Sequence, residues 1–245
     1  MDVSFEKKYH ELEGRHWWFV GRRDFIGRLL KKEPKDSAIL DIGCSGGPLM
    51  KFLSENKFRN IFGIDTSQSA IDLCKSRGIA NVLVKDATNT QFEAETFNIV
   101  IASDVLEHIK EERAALAEWQ RILKKGGKLI IFVPAFNFLW SAHDTANHHF
   151  RRYTNTQLSV LLKECGFEII RSSYWNFFLF FPASLVRLTK RLLPENKVQA
   201  HDELNLLPFL INYFLICLLK LENWLAAKIN LPVGVSVFVV ARKKD

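Results

Sequence analysis

No charge-free run in this chain reaches the roughly 20 residues that a membrane-crossing helix needs, and the two most apolar stretches are broken by Pro182 and Pro208. This argues against a spanning segment. The four cysteines, Cys44, Cys74, Cys165 and Cys217, contain no C-x-x-C pair, which removes the zinc ribbon and the dithiol redox motif. Absent too are an internal repeat, a low-complexity linker, a G-x-G-x-x-G fingerprint and an HGGG loop. Solenoids and tethered modules are thereby excluded, and both a dinucleotide site and an esterase oxyanion loop lose their usual signature. The opening MDVSFE does not resemble a signal peptide. Together with the scattered cysteines it points to a reducing cytoplasm. Net charge is +7, from 34 basic and 27 acidic residues, but the basic pairs are spread along the chain. Solvated faces are expected from that spread, not a nucleic-acid stripe, so no nucleic-acid partner is expected.

What is present alternates. AILDI, NIFGID, NVLVKDA, FNIVIASD and KLIIFVPA read as strands separated by amphipathic stretches, the pattern of a parallel sheet flanked by helices. SQSAIDLCKSRG has a serine cap and a glycine stop, and EERAALAEWQRILKKGG places lysines and glycines where a helix would end. After the fifth strand a polar, histidine-rich loop runs to Tyr153, and Thr154 to Gln157 opens a helix with a capping box. FEIIRSSYW and GVSVFVVARKKD supply strands six and seven, with an apolar insertion between them.

The stretch ILDIGCSGGPLMKFL carries two readings. Gly43, Ser45 and Gly47 spell G-x-S-x-G, the turn that presents a serine nucleophile. From Asp41 onward the same residues form a glycine-rich turn that lets a nucleotide approach the backbone. A hydrolase would need an acid and then a histidine downstream, yet His201, in the insertion, is the one histidine beyond the sixth strand. Asp41 closes the first strand, where a carboxylate can orient the loop. Asp65 closes the second, about 18 residues beyond Gly47, where nucleotide folds place a ribose-binding acid. The cofactor-loop reading satisfies more of the chain, and Pro48 suits a first helical position.

DIGCSGG, GIDTS, KDA, FNIVIASDVLEHI and LKKGGKLIIFVP, in that order, resemble the class I S-adenosylmethionine-dependent methyltransferases of the type 11 or UbiE-like kind. The resemblance covers about residues 39–135 strongly and the rest weakly. It implies an α/β fold: a Rossmann-like seven-stranded sheet with flanking helices, an N-terminal lid and an apolar helical insertion before the last strand. S-adenosylmethionine is the implied cofactor and S-adenosylhomocysteine the product. By the same resemblance Asp41 orients the loop, and the backbone of Gly43, Cys44, Ser45 and Gly46 lies beside the methionine part and ribose. Asp65 takes the ribose hydroxyls, Thr66 lies beside the adenine, and Asp86 and Ala87 meet its amine. Ser103, Asp104 and Val105 follow the fourth strand under the sulfonium, with Glu107 and His108 closing that wall. Tyr9, Trp17, Trp18 and Arg22 are lid candidates, with Arg22 or Arg23 reaching the methionine carboxylate, although the tryptophans equally suit packing on the sheet. Each acid alone could be a strand-end cap.

On the acceptor side WSAHDTANHHFRRYT supplies His143, Asp144, His148, His149 and Tyr153. His143 is the first choice as general base, with Asp144 or His148 second and Tyr153 in reserve. Their alternative role is to pin the loop. Asp144 with His143 and His148 has no recognised ligand spacing, so no metal is expected. Arg151 and Arg152 could grip an anionic acceptor or solvate a helix start.

The chain therefore reads as one domain: lid 1–36, core 37–175, insertion 176–232 and final strand 233–245. The expected activity is methyl transfer to a small-molecule, lipid-linked or glycan-linked acceptor. The alternatives are a serine hydrolase using Ser45 and a cofactor-binding scaffold without transfer activity. Arg187, Lys190 and Arg191 lie between the apolar halves of the insertion, which suits a membrane interface, a homodimer contact or a cap on the core. A cytoplasmic protein, peripheral on the inner face of a membrane in the first case, is the expectation.

Overall fold

A computed structural model of the chain describes residues 10–192 and 206–244; Tyr9, His201 and the side chains of Lys190 and Arg191 lie outside the described set. Seven strands form one sheet: β1 (Ala38–Ile42), β2 (Asn60–Asp65), β3 (Val82–Val84), β4 (Phe97–Ser103), β5 (Leu123–Pro134), β6 (Phe167–Trp175) and β7 (Ser236–Lys243), in the order β3-β2-β1-β4-β5-β7-β6. β7 runs antiparallel to both neighbours and the other pairings are parallel. Apolar runs such as AILDI and FNIVIA form these strands because both faces are covered: Ile39, Leu40, Val100 and Ile101 are fully buried.

The helices are α1 (Trp17–Leu29), α2 (Pro48–Glu55), α3 (Gln68–Ser76), α4 (Glu112–Ile122), α5 (Ala142–Ala146), α6 (Asn155–Glu164), α7 (Phe180–Leu192) and α8 (Phe209–Ala226). Their starts follow local chemistry. Pro48 opens α2, the Ser67 side chain caps α3 and Thr154 with Gln157 forms the capping box of α6.

Two boundaries differ from the sequence expectation. The helix expected over 111–127 stops at Ile122, because Leu123 is fully buried and pairs with Phe97, so β5 begins there and absorbs a register shift before Lys128 meets Ile99. Burial of Leu123 outweighs the C-terminal signal of the lysines and glycines. The third strand ends at Val84, since Asp86 turns back to accept from Thr88 N–H and its hydroxyl at 2.6 and 2.7 Å.

The insertion docks through polar residues inside an apolar sequence. Asn223 of α8 accepts from Trp175 Nε1 at 2.8 Å and donates to Gly21 O of α1 at 2.8 Å, while Asn212 accepts from Trp17 N at 2.9 Å. A Cβ on Gly21 would stand 2.5 Å from Leu219 Cδ1, so this close crossing requires glycine. By length and composition α8 would suffice to cross a bilayer. Its buried Asn212, Glu222 and Asn223 are instead satisfied by the core.

The strand order reverses between β1 and β4. In open α/β sheets the crevice beyond the carboxyl ends of strands at such a point is where ligands bind.

Candidate active site

The loop after β1 lies at that reversal. Gly43 and Cys44 donate their N–H groups to Ile64 O at 2.8 and 3.0 Å, Ser45 N–H donates to Asp65 Oδ2 at 2.9 Å and Gly47 N–H to Cys44 O at 2.9 Å. Gly43 has φ 71°, and a Cβ there would meet Val105 Cγ2 at 2.6 Å. The Gly43, Cys44 and Ser45 amides thus go to β2 and not to the carboxyl of Asp41, which was expected to orient the loop. That carboxyl is 3 % exposed, and burial raises its pKa well above the ordinary value. It lies beneath the loop without bonding it. Cys44 points into the apolar core, so the loop faces the cleft through Gly43 and Ser45.

Ser45 has φ 51°, a conformation that a nucleophile turn would also use. Its hydroxyl, however, donates to Glu13 Oε2 at 2.7 Å and lies 3.0 Å from His10 Nδ1. His10 Nδ1 is also the ring atom 3.6 Å from Glu13 Oε1, so serine and carboxylate meet the same nitrogen. A relay needs the two ring nitrogens on opposite partners. The arrangement ties the N-terminal segment over the loop, a role reinforced by Arg77, which bonds Glu13 Oε1 at 3.1 Å and Gly46 O at 2.7 Å. Sequence reading missed His10, Glu13 and Arg77, whose partners are 31 to 67 positions distant.

Asp65 Oδ1 accepts from Ser67 N–H at 2.9 Å. With Oδ2 on Ser45, each oxygen keeps a further acceptor direction, and the half-buried carboxylate lines two adjoining cavities of about 1070 and 430 Å³. Thr66, Asp86, Ala87 and Val105 line the smaller one. Hydrogen bonds from the Thr88 hydroxyl and N–H lower the pKa of Asp86.

The opposite wall follows β4. Ser103, Asp104 and Val105 line the larger cavity, and Asp104 has φ 57°. Arg22, 4 % exposed, donates to Ser103 Oγ, Asp104 Oδ2 and Ser236 Oγ at 2.9, 3.0 and 3.1 Å. Its guanidinium lies over the Phe132 and Trp175 rings, 4.2 and 4.3 Å from their centroids. Arg22 therefore supports the wall from behind, while Trp17 and Trp18 line the cavity itself. Arg23 bonds the Glu13 and Gly14 carbonyls.

The loop after β5 supplies His143, His148 and His149 to the same cavity, where His108 and Glu107 also arrive. Burial pushes His108 down to about 4 and raises Glu107 well above the carboxylate range. Two expected bases are withdrawn. Asp144 is completely buried, accepts from His149, Ser141 and both arms of Arg152, and is held well below its ordinary pKa by the His149 and Arg152 hydrogen bonds despite desolvation. Tyr153 is buried in the core with its hydroxyl on Glu112 Oε2 at 2.6 Å, and burial raises its pKa. Both pin the loop. Arg152 lines the larger cavity while held by Asp144 and Ala135 O, and Arg151 bonds Glu112 and Lys110 O.

Residues 40–131 match the family model described as a methyltransferase domain. Among curated proteins the chain is 40 % identical over 113 residues to a tRNA (carboxymethyluridine(34)-5-O)-methyltransferase of Xenopus tropicalis, covering 45 % of this chain and 17 % of that one. It is 26 % identical over 147 residues to the ubiquinone biosynthesis O-methyltransferase of Hahella chejuensis, covering 53 % and 60 %. It thus spans less than two thirds of these relatives. A crystal structure of a SAM-dependent methyltransferase from Archaeoglobus fulgidus superimposes with a TM-score of 0.61 at 18 % identity, covering 99 % of this chain and 100 % of that one, which establishes a shared fold.

Proposed function

We propose that this chain, which carries a methyltransferase domain over residues 40–131, binds S-adenosylmethionine on the β1 loop and methylates an acceptor taken from a lipid surface. One observation carries the reading: a single cavity joins Gly43, Ser45 and Asp65 to His143 and His148, and Arg187 and Leu207 of the insertion complete its rim. The cofactor supplies a methyl group on a sulfonium, and the chain's task is alignment and exclusion of water. Asp65 would take the ribose hydroxyls on its remaining lone pairs, with Thr66, Asp86 and Ala87 around the adenine. The Ser103–Val105 wall would face the sulfonium. His143, or His148 beside it, would accept a proton from an oxygen or nitrogen acceptor.

The lipid surface is argued from the insertion. Of twenty exposed large apolar side chains among the described residues, fourteen lie at 178–229, among them Phe181, Phe209, Tyr213 and Trp224. Glu222 is the sole acid among the described residues of that region, and it is buried against Phe177 N and Phe178 N. Arg187, Lys220 and Lys228 provide positive charge. An apolar, aromatic and basic face of this kind suits an anionic interface. A tRNA acceptor is the second reading, favoured by the Xenopus relative's name. Incubating the chain with methyl-labelled S-adenosylmethionine and either a lipid extract or total tRNA tests both. Label in the organic phase is expected. Label confined to tRNA would overturn the lipid acceptor, and none in either would count against transfer.

A further inference from the structure

One ligating atom from each of Glu107, His108 and His149 lies within 4.8 Å of the other two. Glu107 and His108 sit in the short turn after β4 and His149 in the loop after α5, so tertiary folding brings them together. Glu107 is 1 % exposed, and neither carboxyl oxygen accepts a hydrogen bond from another residue. The nearby guanidinium groups attract it from a distance but are bonded to other carboxylates. Asp104 is answered by Arg22 at 3.0 Å and Asp144 by Arg152 at 2.8 Å, so two guanidinium groups serve two carboxylates and Glu107 is the third. A buried carboxylate without partner calls for a cation or a proton.

The histidines decide between those. Metal-bound imidazoles characteristically give their other ring N–H to a carboxylate or a backbone carbonyl, which fixes tautomer and orientation. His149 Nδ1 is 2.9 Å from Asp144 Oδ1, itself clamped by Arg152. The His108 and His149 rings meet edge to face with centroids 4.5 Å apart. The His149 ring is thus held through Nδ1, which leaves Nε2 for a ligand.

We propose that Glu107, His108 and His149 bind one divalent first-row metal ion of the zinc or manganese kind, with an open coordination position facing the cavity for an oxygen of the acceptor. Two nitrogens and one carboxylate suit such ions better than magnesium. Bond lengths of about 2.0–2.2 Å require the three atoms to draw together by roughly an ångström, within reach of side-chain rotation. The acceptor role rests on the methyl-transfer reading. There the bound hydroxyl would lose its proton to His143, the oxygen would bond the methyl carbon, and the carbon–sulfur pair would leave with the thioether.

The test uses cobalt(II) added to chelator-treated full-length chain, followed by its visible absorption, with zinc as competitor. The proposal expects one saturable equivalent, displaced by zinc, and at least tenfold weaker binding in both Glu107→Gln and His149→Gln; circular dichroism and melting verify folding. His149→Gln carries the test if Glu107→Gln fails to fold. No saturable site in the wild type, or equal affinity in the folded variants, would overturn it. Titration of S-adenosylhomocysteine into the same samples reports separately on the cofactor reading.

Discussion

Ser45 shows how one residue type at one turn divides into two chemistries only when its partners are known. Its hydroxyl ties Glu13 and His10 over the loop while its N–H holds Asp65. Ser45→Ala should therefore retain most methyl transfer, with cofactor affinity falling by no more than about 1.5 kcal/mol for the lost hydrogen bond. A serine-directed fluorophosphonate should leave the wild type unlabelled, and labelling at Ser45 would revive the hydrolase. Glu118 permits a second prediction at this scale. Arg121 and Thr90 donate to it and hold its pKa at about 2, below the ordinary 4.5. Its folded pKa is depressed, so its contribution is present above the unfolded value and fades as pH falls from about 4.5 toward 2. Wild type should exceed Glu118→Gln by about 2 kcal/mol at pH 7, allowing for partial exposure, and the gap in urea midpoint should shrink in acid. A gap independent of pH would refute that linkage. The position of Asp65 at the end of β2 was legible from its spacing beyond Gly47. The roles of Asp144 and Tyr153 were not, because Arg152 and Glu112 claim them through contacts that follow from packing.

Elements were read from apolar runs, and β1, β2 and β6 begin and end where AILDI, NIFGID and FEIIRSSYW do. Misreading came where burial overrides a local signal, as at Leu123, where strand pairing takes over from helix. The insertion hid its docking for a related reason: Asn212, Glu222 and Asn223 look like interruptions of an apolar face, yet they are the side chains that fasten α8 to α1 and the chain after β6. The crossing at Gly21 is tight enough to test. Gly21→Val places branched carbons where Leu219 already sits. Overpacking costs about 1–3 kcal/mol, more than the gain of a few tenths from replacing a helical glycine by valine, so the variant should melt at lower temperature. An unchanged melting temperature would show that α1 and α8 separate without cost.

At the scale of the molecule, the sheet places its ligand crevice at the β1/β4 reversal and the insertion places an apolar, basic face beside it. Association with anionic vesicles should combine burial with salt-sensitive attraction. Replacing Phe178 and Phe181 with serine should weaken flotation by about 1.5–3 kcal/mol per fully inserted side chain. Neutralising Arg187, Lys190 and Arg191 should mainly remove the salt dependence. A homodimer through this face predicts serine variants that turn monomeric in light scattering and wild type that stays at the bottom of the gradient. The claim on which the rest depends is that the β1 loop and Asp65 hold the nucleoside of S-adenosylmethionine. Calorimetric titration of S-adenosylhomocysteine tests it most directly. The wild type should bind one equivalent, and folded Asp65→Ala should lose about 1.5–3 kcal/mol, roughly 10- to 150-fold. No binding by the wild type, or equal affinity in the variant, would contradict it.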